Sequence, residues 1–215
     1  MSAATGAIPL LVIAGPTATG KTEMALRVAE QLGGEIVSAD SMQIYQRLDI
    51  GTAKPTPEER ARAPIHLIDF VSPDGEYTVA DFCAQAAPLI ADIHARGRLP
   101  ILCGGTGLYI RALTEGFAFP PGRRDGAMRE RLRAEADALG AEAMHRRLAE
   151  VDPVAAARIE PGDARRIVRA LEVHALTGEP MSAAQGRRGS VDAGGAPEYN
   201  CAKYVLTAPR QVLFD

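Results

Sequence analysis

Cysteine is scarce in this chain: Cys83, Cys103 and Cys201 are an odd and scattered set. They provide neither a zinc spacing nor a disulfide framework, which points to a reducing cytoplasm. No apolar run approaches the roughly 20 residues that a bilayer span needs. The opening MSAATGAIP has no basic segment followed by an apolar one, so it does not read as a secretory leader. A cytoplasmic protein with no membrane partner is therefore expected. Tryptophan is absent and other aromatic residues are few. Lysine is missing altogether between residues 123 and 188, where 13 arginines stand against 11 acids. Guanidinium forks suit phosphate geometry, so that segment suggests phosphate or RNA contact despite a whole-chain charge of −3. Solvated helices laced with Arg/Glu pairs would look the same.

What is present is ordinary globular material, with 47% hydrophobic and 24% charged residues over a length of 215. That is enough for one α/β domain with a sizeable insertion, or for one domain plus a small second one. Short apolar runs alternate with helical patterns through the first half, the signature of a parallel sheet with crossover helices. LLVIAG, EIVSAD and IHLIDF read as strands, and LPILC as a fourth. GKTEMALRVAEQLGG reads as a helix with Met24, Ala25, Val28, Ala29 and Leu32 on one face and a glycine pair at its end. TVADFCAQAAPLIADIHARG reads as another, capped by Thr78, with Pro88 predicting a kink or a late start.

From about residue 115 the pattern is helical, with caps at Asp152 and Asp163 and stops at Gly140 and Gly178. Ile167, Leu171 and Leu176 are its expected apolar positions in the last of these helices. PPGRRDG and GRRGSVDAGGAPEYN read as loops, and CAKYVLTA as a strand that rejoins the sheet. The expected organisation is an α/β core over 1–114, a helical insertion over 115–198, and a return strand with the start of a C-terminal region over 199–215.

The most informative stretch is GPTATGKT, Gly15 to Thr22, placed between a strand and a helix. It fits the phosphate-loop pattern G-x-x-x-x-G-K-[ST]. Gly15, Pro16, Thr17, Ala18, Thr19 and Gly20 would aim backbone N–H groups at phosphate oxygens, aided by the helix's positive end. Lys21 would neutralise phosphate charge, and the Thr22 hydroxyl would hold Mg²⁺. Asp40 ends the second strand, at the sheet edge where ligands sit, and suits a metal-shell ligand or a general base. With Ser41 it would equally serve as a cap. Gln43 offers an amide that suits a base edge, or a solvated turn. Gly104, Gly105 and Gly107 resemble a second phosphate loop, or simply a tight turn. His66 reads as a packed, hydrogen-bonded histidine, and His94, His145 and His174 lack ligand spacing.

GPTATGKT, SADSMQIY, DIGTAKP, HLID, YTVADF, GGTGLYIRAL, VDPVAAARI and DARRIVRALEV occur in one order. That order closely resembles the bacterial tRNA dimethylallyltransferases, also called tRNA isopentenyltransferases. The resemblance implies a P-loop NTPase-like parallel sheet with flanking helices and a helical insertion. It implies that the loop holds the diphosphate of dimethylallyl diphosphate rather than a nucleotide under hydrolysis. The dimethylallyl group would pass to the exocyclic amine of the adenosine 3′ of the anticodon, in tRNAs that read codons beginning with U. Asp40 resembles the family's general base, and Thr22 its diphosphate and metal contact, beside Lys21.

The tRNA-contact positions carried over are Asp40, Ser41, Met42, Gln43, Thr106, Arg129 and the run Arg165, Arg166, Ile167, Val168, Arg169. Mg²⁺ is the implied cofactor and the anticodon stem-loop of tRNA the partner, on a monomer, with ATP left open as a second occupant of the loop. Family members continue past APRQVLFD into a helical region that carries a further arginine, so this sequence is expected to be a fragment. The alternatives are a small-molecule kinase on the same loop, an RNA-binding module without turnover, and prenylation of free adenine nucleotides.

Overall fold

A computed structural model describes residues 7–117, 126–186, 199–208 and 211. Two compact units emerge, Met1–Gly116 with Val191–Asp215, and Phe117–Ser190. Several expected loops, 118–125 and 187–198, and most of the C-terminal segment after residue 208 lie outside the described residues.

The first unit is built on strand β1 (Ile8–Ala14), helix α1 (Lys21–Leu32), β2 (Gly34–Ser38), α2 (Pro57–Arg62), β3 (Ile65–His66), α3 (Val79–Ala95), β4 (Leu99–Gly104), α4 (Gly107–Thr114) and a later strand. The five strands form one sheet in the order β3-β2-β4-β1-β5, where β5 is Tyr199–Val205. Every pairing is parallel. Successive side chains point to opposite faces of a strand, so each central strand feeds two cores. Leu10, Val12, Val37 and Leu102 meet Phe82, Ala86 and Ile90 of α3 and Tyr109, Ile110 and Leu113 of α4. Ile13, Ile36, Ile101 and Cys103 meet Ala25, Leu26 and Ala29 of α1. With both faces covered, the strands read as continuous apolar runs, as buried parallel sheets do. The Phe82 and Tyr109 rings stack with centroids 4.5 Å apart.

Several expectations need correction. The inward face of α1 is Ala25, Leu26 and Ala29, whereas Met24 and Leu32 are exposed. The helix meets the sheet through Ala25, Leu26 and Ala29 with Val28 packed beside them, which leaves Met24 and Leu32 at the rim. Only Gly33 stops that helix; Gly34 already belongs to β2 and pairs with Leu99. β2 ends at Ser38, two residues before Asp40. β3 is two residues long because Leu67 and Asp69 adopt left-handed φ values of 59°, which ends an extended strand. Helix α3 starts at Val79 with no delay and runs through Pro88. Its start is fixed by a reciprocal cap between Thr78 and Asp81.

The second unit comprises α5 (Gly126–Leu139), α6 (Ala141–Val151), α7 (Pro153–Ala156), α8 (Ala164–Thr177) and α9 (Met181–Gly186). Its core gathers Leu132, Met144, Leu148, Ile159, Ile167 and Leu171. Leu176, expected inside, is exposed. Asp152 is buried and caps α7 by accepting from the Ala155 N–H at 2.9 Å, and it also accepts from Ser182.

Candidate active site

Three chain segments leave the carboxyl ends of β1, β2 and β4 side by side, which is where an open parallel sheet places its ligand crevice. From β1 comes the glycine-rich loop. Gly15 has φ 152°, and a Cβ there would lie 2.5 Å from the Leu206 carbonyl oxygen. Only glycine meets both conditions, so the segment after β5 closes directly on the start of the cradle. The Leu206 N–H donates to Ala14 O at 2.8 Å, which fixes that approach. Ala18 is held at φ 66°, and the Thr19 hydroxyl donates to Pro16 O at 2.8 Å. The Lys21 ammonium also donates to Pro16 O, so it folds over the cradle.

From β2 comes Asp40. Its Oδ1 accepts the Met42 N–H at 2.9 Å and the Gln43 N–H at 3.3 Å, so the carboxylate organises the turn that follows the strand. From β4 comes Gly104-Gly105-Thr106. A Cβ on Gly104 would stand 2.2 Å from Ala39 O, so β2 and β4 approach at backbone contact. The Thr106 N–H donates to Ala39 O at 3.1 Å, and its hydroxyl accepts the Ser41 N–H at 2.9 Å. Gly105 lies between the two other segments: a Cβ there would be 3.5 Å from Gly15 O and 3.9 Å from Asp40 Oδ2. Gly104 therefore serves a close approach, whereas Gly105 leaves ordinary contact distances and Gly107 open space.

These segments enclose a cavity of about 260 Å³. Thr17, Ala18, Gly20, Lys21 and Thr22 of the cradle line it together with Asp40 and Gln43. Its remaining wall is Glu23, Ser38, Thr52, Ala53, Pro55, Glu59 and Gly104 with the apolar Ala25, Ile36, Ile65 and Cys103. Thr52, Ala53 and Pro55 of that wall belong to the DIGTAKP stretch. The link is the Gln43 amide, which donates to Thr52 O at 3.2 Å and Ala53 O at 3.0 Å. The Gln43 amide hydrogens thus have backbone acceptors within the protein. Burial pushes the Cys103 thiol up to about 11, so it lines the cavity as a neutral group. Met42 is exposed beside this site.

The cation of DIGTAKP, Lys54, serves an internal network. Lys54 is buried with its side chain 1% exposed, pairing with Asp49 at 2.8 Å and with Asp69, and donating to Tyr45 O at 2.6 Å. Burial disfavours its charge, yet the two carboxylates outweigh this and raise its pKa. His66 is hydrogen-bonded as expected, to the buried Glu35 at 2.8 Å, although its own side chain is partly exposed.

The remaining candidates lie in the second unit. On α8, Arg165, Arg166 and Arg169 are exposed, whereas Ile167 and Val168 are buried in the helical core. The side chains of Ile167 and Val168 thus pack inward while the three arginines face outward; a run of five helical residues spans more than one face. Arg129 of α5 and Arg169 converge on Glu172, at 2.6 and 2.9 Å, and Glu172 is fully buried. Burial pushes that carboxyl up, but the two guanidinium groups win and hold it ionised. Other arginines pair with acids, including Arg147 with Glu135 at 2.5 Å and Arg166 with Asp163 at 3.4 Å. Part of the arginine bias is thus internal pairing.

Among the described residues no cluster of three or more His, Cys, Asp or Glu side chains stands ready for a metal ion. A hydroxyl and a carboxylate on one cavity wall suit Mg²⁺, which keeps waters and takes phosphate oxygens instead of a full protein cage. No helix among the described residues is long and apolar enough to cross a membrane.

The fold and the cradle define a P-loop α/β protein with a parallel five-stranded sheet. A family model described as IPP transferase matches residues 43–215, and the chain belongs to that family. The tRNA dimethylallyltransferase of Geobacter metallireducens is 53% identical over 205 residues, which make up 95% of this chain and 65% of that protein. The full-length tRNA isopentenylpyrophosphate transferase of Bacillus halodurans is 44% identical, with a TM-score of 0.59 over 97% of this chain and 63% of the other. A eukaryotic dimethylallyltransferase acting on tRNA is 27% identical, with a TM-score of 0.78 over 96% of this chain and 50% of the other. The chain thus spans between half and two thirds of the length of these relatives. The resemblance drawn from the ordered motifs holds.

Proposed function

We propose that this chain carries the diphosphate-holding and base-activating part of an enzyme that prenylates tRNA. The observation that carries this reading is one cavity lined by both the cradle and Asp40. The reaction joins the exocyclic nitrogen of adenine to C1 of the dimethylallyl group while the C1–oxygen bond breaks. Diphosphate departs with the bonding electrons, and the amine loses one proton.

That amine is a weak nucleophile because its lone pair is delocalised into the ring, so both ends of the transfer need help. Cradle N–H groups and Lys21 oppose the charge that grows on the leaving diphosphate. Lys21 exchanges its internal acceptor, Pro16 O, for a phosphate oxygen when substrate enters. Asp40 takes the amine proton. Its Oδ1 is committed to the turn, which leaves Oδ2, on the Gly105 side, for that step. Mg²⁺, held through the Thr22 hydroxyl, would neutralise further charge on the diphosphate. The acceptor is an anticodon-loop adenosine in tRNAs reading codons that begin with U, unstacked more cheaply there than in a duplex.

The test is incubation of the protein with dimethylallyl diphosphate, Mg²⁺ and unmodified tRNA. Prenyl-adenosine in the digested tRNA is the expected product. ATP consumed with phosphate transfer to a metabolite and no prenyl-adenosine would replace this reading with a kinase. Transfer to AMP in preference to tRNA would replace the acceptor.

A further inference from the structure

The chain between Asp40 and Lys54 is an exposed loop, yet it is bound down at many points. Gln43 holds the carbonyls of Thr52 and Ala53, and the Thr52 hydroxyl donates to Leu48 O. The Ala53 N–H donates to Ile50 O and the Lys54 N–H to Asp49 O, both at 3.2 Å. The buried Lys54 ties Tyr45, Asp49 and Asp69 together underneath. Such fixing costs conformational entropy at every residue. What it presents at the tip is Ile50, whose exposure is 97%. An isoleucine in water contributes nothing to this fold. Single exposed apolar residues are common, but this one stands at the tip of a tied-down loop that contributes to a candidate active site. Thr52 and Ala53, two and three residues beyond it, line the cavity that also holds Asp40. Arg47, on the same loop, is exposed and makes no ion pair among the described residues.

We infer that Ile50 is a wedge for the nucleic-acid substrate: an apolar side chain that fills the gap left in a base stack when the target base leaves it for the cavity. The inference rests on the proposed function and adds a residue that positions the acceptor. A base withdrawn from a stack leaves two apolar base faces open to water, and apolar wedges between base steps are a known physical solution. A β-branched side chain is stiff at χ1 and loses little entropy on insertion. Arg47 supplies a cation for the neighbouring phosphodiester. Ile50 touches neither the diphosphate cradle nor the interior, so its effect should be confined to the RNA.

The test uses an anticodon stem-loop RNA with 2-aminopurine in place of the target adenosine. Its amine is on C2 rather than C6, so the RNA binds without being prenylated, and its fluorescence rises on unstacking. The wild-type protein is expected to raise the signal. Ile50→Ala should bind this RNA about tenfold more weakly, the scale set by burying one aliphatic side chain, and should raise the signal less at saturation. Ile50→Leu should restore most of the response. Affinity for dimethylallyl diphosphate and melting temperature should be unchanged in both variants. A wild-type protein with no response would overturn the RNA reading of the site itself. A normal wild-type response that Ile50→Ala matches at saturation would overturn the wedge alone. A drop in melting temperature for Ile50→Ala would also overturn it, by showing that the side chain packs within the protein.

Discussion

Asp40 holds two positions at once, as turn acceptor and as proton acceptor, and the two can be separated chemically. Asparagine keeps an oxygen for the Met42 and Gln43 N–H groups but cannot take up a proton at neutral pH. Asp40→Asn should therefore lower single-turnover prenyl transfer by about 10²–10⁴-fold, the usual worth of a positioned base. Its affinity for tRNA and its melting temperature should stay near wild type. Asp40→Ala should lose the turn as well, and so add a loss of RNA affinity. Equal transfer rates for Asp40→Asn and wild type would remove the base from Asp40. Lys21 offers a parallel contrast, because its ammonium already has an acceptor in Pro16 O. Lys21→Met should weaken diphosphate binding without unfolding the cradle, whose shape depends on Gly15 and on the hydrogen bond from Thr19.

Between elements, β4 passes close to the residue that follows β2, and adjacent glycines respond to it differently. A methyl group on Gly104 would be forced against Ala39 O at 2.2 Å, whereas one on Gly105 would rest at 3.5 Å from its nearest atom. Gly104→Ala should cost about 1–3 kcal/mol in denaturant unfolding, as overpacking does. Gly105→Ala should leave stability within about 0.5 kcal/mol but slow transfer, because its methyl group intrudes between the Gly15 carbonyl and Asp40. At this scale the sequence was legible where local rules decide. The strand-loop-helix cradle, the Thr78 cap and the stops at Gly140 and Gly178 follow from residue type and spacing. It was not legible where a distant partner decides. Lys54 is buried because Asp69, 15 positions away, meets it. The cavity wall at Thr52 and Ala53 depends on an amide from Gln43. Ile167 and Val168 sit inside because α8 turns that face to Leu132 and Leu148, which a motif read as a string does not encode.

Across the whole molecule, charge acts in opposite ways at two places. At the foot of the sheet, Arg96 draws the buried Glu35 carboxyl down to about 2, against the effect of burial and with help from His66. A carboxyl whose folded pKa lies below its unfolded 4.5 stabilises fully above that value and loses its contribution as pH falls toward 2. Glu35→Gln should cost about 1.5–3 kcal/mol at pH 7, and the gap to wild type should close as unfolding is measured at lower pH. In the helical unit the exposed guanidinium groups of Arg165 and Arg166 hold little among the described residues, where Arg166 pairs only with Asp163 at 3.4 Å with 72% of its side chain exposed. If these two bind RNA phosphates, each releases about one counterion on contact. The slope of log affinity against log salt should then fall by about 0.7–0.9 for Arg165→Ala and again for Arg166→Ala, to similar extents for every RNA sequence tried. Ile167→Ala, between them in sequence but buried, should instead cost about 2–5 kcal/mol of stability and leave the slope of the folded protein unchanged. The three variants together separate a phosphate-facing surface from a packing face on one helix. A slope indifferent to both arginines would move the RNA contact off α8, and the arginines would then be solvated charges on an amphipathic helix.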